Sequence, residues 1–203
     1  MIKQPFNFGE KEINALRQKD KKLAALIDAT PKPIYEQIPD TFCALAYNIV
    51  GQQIAVKAAN TVWQRLEDRL GTVTAHSVAA ASTEQIQQCG MSLRKASYIK
   101  ALAEEILCGS FVPESLSCLT DEEVCKRLVQ LHGIGQWTAE MMLIFCLGRP
   151  NVVSWGDLGI RRGMERLYGH KQLTLQQFAR YKKRYSPYGT VASFYLWALG
   201  NKK

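Results

Sequence analysis

Leu131-His132-Gly133-Ile134-Gly135-Gln136-Trp137-Thr138-Ala139-Glu140 is the stretch that decides how the chain reads. It spells the end of one helix, a tight turn, and a second helix beginning near Gly135. Two glycines in a turn leave no side chain between the backbone and a ligand. First-turn amides of the second helix have no intrahelical partner and stand at the positive end of its dipole, so the turn suits an anion such as a phosphate. A bare Gly-x-Gly also fits an ordinary helix–helix turn, and the flanking residues must decide. Met141 to Leu147 is apolar at every helical angle, the mark of a helix buried on all sides. Upstream, Thr120-Asp121-Glu122-Glu123 reads as a capping box, followed by Val124, Leu128 and Leu131 at helical spacing. The glycines therefore join an amphipathic helix to a central buried one. Just downstream, Val152-Val153-Ser154-Trp155-Gly156-Asp157 ends in a lone Asp that opens another helix.

The rest of the chain repeats this helical grammar. Two short polar helices are expected at about Gly9 to Gln18 and Lys21 to Ala29, stopped by Thr30-Pro31-Lys32-Pro33. Phe42, Leu45, Ala46, Ile49 and Val50 form an apolar helical stripe that ends at Gly51. Further helices are expected at Ala55 to Leu70, Ala75 to Ala81, Glu84 to Gln88 and Leu93 to Cys108, then Leu175 to Lys183 and Val191 to Gly200. No strand pattern, internal repeat or long linker stands out, so the chain reads all-α.

With 203 residues and 47% hydrophobic composition, the chain fits a soluble globular protein of one large domain or two packed helical lobes. A balance of 26 Lys+Arg against 18 Asp+Glu, net +8, favours a polyanionic partner without requiring one. No apolar signal core and no run of membrane length is present. The six cysteines are therefore expected to be reduced and mostly core-filling, and the protein cytoplasmic, nucleoid-associated in a bacterium. No Cys/His spacing suggests zinc, and His76 and His170 have no partner pattern.

The Leu-x-Gly-Ile-Gly-x-Trp-Thr-Ala hairpin, followed some twenty residues on by Asp157, resembles the helix-hairpin-helix (HhH-GPD) DNA glycosylase superfamily. Within it the chain is most similar to the 3-methyladenine DNA glycosylase II, or alkylpurine, branch. Ile49-Val50-Gly51-Gln52-Gln53-Ile54 and Gly90-Met91-Ser92-Leu93-Arg94-Lys95-Ala96 resemble two further segments of that branch, and the similarity runs from about Asp40 to Asn201. The resemblance implies a two-lobed all-α fold with the active-site cleft between the lobes. One lobe would be residues 1–39 plus about 150–203, the other about 40–149 with the hairpin 131–138. Well-known members of the branch carry a β-rich domain ahead of this fold, for which the residues before Asp40 leave no room. Cys118 and Cys125, separated by six residues, imitate the first two ligands of the iron–sulfur cluster in endonuclease III-like relatives. Those relatives carry all four cysteines after the catalytic Asp, and this chain has none after Cys146, so no cluster is expected.

The resemblance also assigns roles. Asp157 would be the catalytic carboxylate facing the sugar of an extruded nucleotide, where its plain reading is a helix N-cap. Relatives that also cleave the strand carry a lysine where this chain has Trp137, which implies a monofunctional glycosylase without AP-lyase activity. Trp137 and Trp197 match aromatic positions of the base pocket, ordinary core packing being their plain reading, and Met141 replaces a pocket Tyr. Gln53, or its neighbour Ile54, falls where relatives insert a wedge into the vacated base stack. Gly133, Gly135, Gln136 and Thr138 would hold a DNA backbone phosphate. Carbonyls of Val129, Leu131 and Ile134 would bind a monovalent Na+ or K+, with no cofactor needed for catalysis. His132 stands where most relatives have Pro. Arg161-Arg162 and Arg180-Tyr181-Lys182-Lys183-Arg184 could add phosphate contacts or be solvated helix faces. The expected partner is double-stranded DNA carrying alkylated bases, and the expected state a monomer. A noncatalytic helix-hairpin-helix DNA-binding module is the alternative, since the hairpin alone only grips phosphate.

Overall fold

The computed structural model describes residues 1–201; the last two, inside the predicted lobe ending at 203, lie outside the described residues. The chain divides into two compact units, one of Met1–Gln4 and Ile38–Leu147, the other of Pro5–Gln37 and the residues from Gly148 onward. No helix among the described residues is long and apolar enough to cross a membrane.

In the first unit, α3 (Thr41–Gly51) is the central helix. Asp40 caps it by accepting the Cys43 N–H at 2.7 Å, and the predicted stripe of Phe42, Leu45, Ala46, Ile49 and Val50 is buried. Around it stand α4 (Val56–Leu70), α5 (Ala75–Ala80), α6 (Thr83–Gln87) and α7 (Leu93–Leu107), then α8 (Asp121–Leu128) and α9 (Gln136–Phe145). Helices α4, α7 and α9 pack directly on α3. The predicted capping box of α8 is present, the Glu123 N–H donating to Thr120 Oγ1 at 3.3 Å and the Thr120 N–H to Glu123 Oε2 at 2.8 Å. A 3-10 turn at Pro113–Cys118, absent from the sequence reading, fills the link between α7 and α8.

The second unit holds α1 (Glu10–Lys19), α2 (Lys21–Asp28), α10 (Leu158–Tyr168), α11 (Leu175–Tyr185) and α12 (Gly189–Gly200). Helices α11 and α12 are each two residues longer than their patterns suggest, α11 at its end and α12 at its start. Two-residue strands β1 (Gln4–Pro5) and β2 (Glu36–Gln37) are too short for alternation to register in sequence. The N-terminal segment joins the C-terminal helices through aromatic packing. Phe194 of α12 takes Phe6 edge-on at 5.0 Å and stacks on Tyr35 at 4.4 Å. Helices α10 and α12 meet at backbone contact: a Cβ on Gly200 would lie 2.1 Å from the Gly159 carbonyl oxygen, and one on Gly163 2.3 Å from that of Leu196.

Helix C-termini leave carbonyls without intrahelical partners, and here cations from elsewhere in each unit supply the missing donors. Lys95 donates to the Val50 and Gln52 carbonyls at the end of α3, and Lys100 to those of Ala79 and Ala81 at the end of α5. In the second unit Arg166 donates to the Leu199 carbonyl at 2.7 Å, Lys22 to Tyr168 at 3.5 Å, and Lys19 to Ser186.

Asp20 links four elements of the second unit. Its Oδ1 caps α2, accepting from the Lys22 and Leu23 amides at 3.0 and 2.9 Å, while Oδ2 accepts from the Tyr168 hydroxyl and Arg184, both at 2.6 Å. Burial pushes its pKa up, but the bonds from Tyr168, Leu23 and Arg184 outweigh that and leave it below the usual carboxylate value. A depressed folded-state pKa gives stability that is complete above the unfolded value and fades as pH falls through the folded one. Asp20→Asn keeps the cap and loses the charge. We expect it to cost about 1–2 kcal/mol in denaturant unfolding at neutral pH, the half-exposed Arg184 limiting the loss. The gap to wild type should narrow as pH drops below about 4.

Candidate functional site

The hairpin takes the predicted form. Val129 ends α8, the Leu131 amide donates to the Leu128 carbonyl at 3.0 Å and the Ile134 amide to that of Leu131 at 3.2 Å, and Gly135 is the N-cap of α9. Several other helices start on a capping Asp, Ser or Thr, but the Gly135 cap offers no side-chain acceptor to the amides of Gln136, Trp137 and Thr138. Gly135, Gln136 and Trp137 are exposed and Gly133 is partly so, whereas Thr138 is buried. Of the predicted phosphate ligands, Gly133, Gly135 and Gln136 thus share the accessible rim, and Thr138 lies beneath it. Gly133 has φ +82°, and a Cβ there would lie 2.3 Å from Cδ2 of Tyr98, which packs under the turn from α7. His132 stands 3.9 Å from Glu105. Among the described residues the Val129 and Ile134 carbonyls accept no hydrogen bond, while that of Leu131 takes the Ile134 amide.

Beside the hairpin in the same unit runs the loop after α3. Gln52 Nε2 donates to the Gly133 carbonyl at 2.7 Å, joining loop to hairpin. Gln53 is exposed with φ 58°, the one non-glycine residue at positive φ among those described, and Ile54 is 40% exposed. Trp137 is 44% exposed on the first turn of α9, and Met141, one turn later, is buried.

In the second unit Asp157 is the N-cap of α10. Its Oδ1 accepts the Ile160 amide at 2.9 Å and, at 2.8 Å, the indole N–H of Trp197 on α12. The cap expected of Asp157 is present, and the side chain is 8% exposed. Trp197 stacks with Phe194 at 5.9 Å and lies 5.7 Å from the ring of Tyr35. Burial raises the Tyr35 pKa, and the nearby Asp157 charge raises it further.

The basic runs are partly committed. Arg161 lies 5.2 Å over the Trp155 ring, Arg180 and Arg184 cover Tyr181 at 5.2 and 5.5 Å, and Arg162, Lys182 and Lys183 remain exposed. His170 shares a hydrogen bond with the Tyr181 hydroxyl at 2.7 Å, and His76 is exposed. Tyr35, Lys95 and Tyr98 escaped the sequence reading, because nothing local marks their distant contacts. The Gly159-x-x-x-Gly163 spacing was a visible sign of close helix approach, and it too was passed over.

Three comparisons with known proteins agree. The family model for HhH-GPD superfamily base excision DNA repair proteins matches residues 47–186. The chain is 33% identical over 155 residues to DNA-3-methyladenine glycosylase 1 of Schizosaccharomyces pombe, spanning 73% of this chain and 68% of that protein. It is 28% identical over 211 residues to a putative DNA-3-methyladenine glycosylase of Bacillus subtilis, spanning 92% and 72%. Among solved structures, the DNA-3-methyladenine glycosidase from Bacillus halodurans superposes with a TM-score of 0.82 at 32% identity, covering 100% of this chain and 94% of that one. The Schizosaccharomyces pombe 3-methyladenine DNA glycosylase in complex with abasic DNA gives 0.79 at 28%, covering 95% and 100%.

The two hairpin glycines should respond differently to a methyl group. Gly133→Ala adds both the positive-φ strain and the Tyr98 collision, and should lower unfolding free energy by roughly 2 kcal/mol. Gly135→Ala meets nothing within 4 Å at an ordinary φ of −92°. It should cost no more than about 1 kcal/mol, the difference between Gly and Ala as a cap. Equal losses for the two in thermal or denaturant melts would contradict this account.

Proposed function

The chain belongs to the HhH-GPD superfamily of base excision DNA repair proteins, and from that premise we propose that it is a monofunctional glycosylase acting on alkylated purines in duplex DNA. It extrudes the damaged nucleotide and hydrolyses the bond between base and deoxyribose. Water attacks C1′, the C1′–N bond breaks, the base leaves with the bonding pair, and the proton lost by water passes to solvent. Positive charge builds on the sugar as the base departs.

The observation that carries this reading is the Asp157 carboxylate, held by two N–H donors on separate helices. A fixed anion about 4 Å from the sugar, at an effective dielectric near 20, is worth on the order of 4 kcal/mol, or roughly a thousandfold in rate. Being held beforehand, it needs no reorganisation when the charge develops. A 3-alkyladenine or 7-alkylguanine carries its own positive charge, and the π faces of Trp137 and Trp197 suit it by stacking and cation–π attraction. Met141 in place of a pocket Tyr alters the range of bases admitted.

The rest of the machinery follows from the first unit. Uncapped amides at the start of α9 suit a backbone phosphate, and the exposed Gln53 or Ile54 suits the place vacated by the flipped base. Carbonyls of Val129, Leu131 and Ile134 suit a monovalent cation, two of the three having no hydrogen-bond donor among the described residues. Such an ion would add its charge to that of the amides facing the phosphate. Trp137 supplies no amine where the lyases of the family have one, which supports hydrolysis by water.

A noncatalytic DNA-binding module would also retain Asp157 as a cap, and substitution separates the two. Asp157→Asn can still accept from both Ile160 and Trp197 but carries no charge. We expect a folded protein that releases free base from methylated DNA about a thousandfold more slowly; release near the wild-type rate would favour the module. Borohydride added during turnover should trap no covalent enzyme–DNA adduct, and a trapped adduct would mean that an amine of the protein attacks the sugar.

A further inference from the structure

The loop from Gly51 to Ile54 is poorly held by its own chain. Its internal backbone bonds are long, the Gln52 amide to the Ile49 carbonyl at 3.4 Å and the Ile54 amide to the Gly51 carbonyl at 3.3 Å. The next helix, α4, has Ala55 at its N-cap and so no side-chain cap bond. Yet the loop keeps Gln53 at φ 58°, a conformation that costs a non-glycine residue free energy unless its surroundings impose it.

The short bonds come from outside. Lys95 donates to the Val50 carbonyl at 2.8 Å and to that of Gln52 at 2.6 Å, on either side of Gly51. The Gln52 side chain reaches the Gly133 carbonyl at 2.7 Å. Tyr98 lies three residues beyond Lys95 on α7, so the two share a helix face, and its ring packs against Gly133. One face of α7 thus supports the loop through Lys95 and the hairpin through Tyr98, and Gln52 closes the triangle between them.

We propose that Lys95 and Gln52 are positioning residues that lock the wedge loop to the phosphate-gripping hairpin, so that the inserted side chain enters the duplex at a fixed offset from the held phosphate. This rests on the glycosylase reading above, and it adds a division of labour to it. Insertion matters only while the damaged base is still stacked and paired. A lesion already out of the stack needs the phosphate grip and the carboxylate but not the wedge.

That division supplies the test: single-turnover release of 7-methylguanine from a fully paired duplex and from the same duplex with the lesion in an unpaired bulge. Lys95→Met is expected to slow release from the paired duplex by about tenfold, the scale of a lost hydrogen bond to a charged donor, and from the bulge by less than about twofold. Lys95→Arg, which can donate to both carbonyls, should stay near wild type on both. Gln52→Leu removes one bond, leaves Lys95 in place, and should show the same selectivity at severalfold; it decides the matter if Lys95→Met does not fold. Equal losses on the two substrates, or no loss on either, would overturn the proposal. If Gln53→Ala combined with Ile54→Ala leaves paired excision intact, the loop is no wedge and the proposal falls with it. Wild-type protein that releases base from neither substrate would instead overturn the glycosylase reading itself.

Discussion

One carboxylate oxygen ties the second unit together. Oδ1 of Asp157 accepts an amide from its own helix, α10, and the indole N–H of Trp197 from α12. The helices that carry these two donors also come within backbone distance of each other. Glycines at 159, 163 and 200 allow that, since a methyl group on any of them would strike the facing helix. The remaining elements follow from this contact. Phe194 lies one helical turn before Trp197, and Phe6 and Tyr35 of the N-terminal segment pack on it, which draws residues distant in sequence onto the C-terminal pair. Larger side chains at the crossing would separate the helices, and the carboxylate would keep its cap but lose the bond that fixes its second direction.

The basic composition divides between two uses. A net charge of +8 invites a polyanion, yet at least seven of the cations donate to the protein's own carbonyls, five of them at helix ends. Lys95, Lys100, Arg166, Lys22 and Lys19 each close the C-terminus of a helix distant in sequence, where the backbone concentrates partial negative charge. Helices commonly end on a local glycine motif, and α10 carries one at Gly169 beside its Lys22 contact. Here long side chains reach across each unit, so charge that composition counts as surface serves to fasten helix ends. The exposed remainder, Arg162, Lys182 and Lys183 among it, stays free to meet solvent or an acidic partner.

Helix positions and the hairpin were legible because their signals are local. The Thr120 box, the apolar stripe of α3 and the glycine turn each depend on residues within a few positions of one another, and each appears as read. Helix ends were legible to within about two residues, and the strands not at all, since a pair of residues carries no period. Asp157 could be found from its place at a helix start. Its bond to Trp197 could not, because the two stand forty positions apart and no spacing rule connects them. Lys95 lay inside a segment quoted for its family likeness, but a lysine in the first turn of a helix reads as solvated. Its contacts with Val50 and Gln52 exist only once α3 and α7 pack.

An N-cap has no need of a charge. Asn serves the purpose as well as Asp, and at 8% exposure it would avoid most of the cost of taking a carboxylate out of water. Two N–H donors and the positive end of α10 offset part of that cost but also hold the charge in one orientation. Nearby stand the aromatic rings of Trp197 and Tyr35, and the Tyr35 hydroxyl is made less acidic by the carboxylate's field. Capping by itself therefore gives no reason for Asp rather than Asn at this position. Under the proposed reading the reason lies in the substrate: a carboxylate held in one orientation attracts the sugar most strongly once the sugar becomes cationic. The attraction then acts on the transition state far more than on the resting duplex, which is the condition for binding energy to raise a rate.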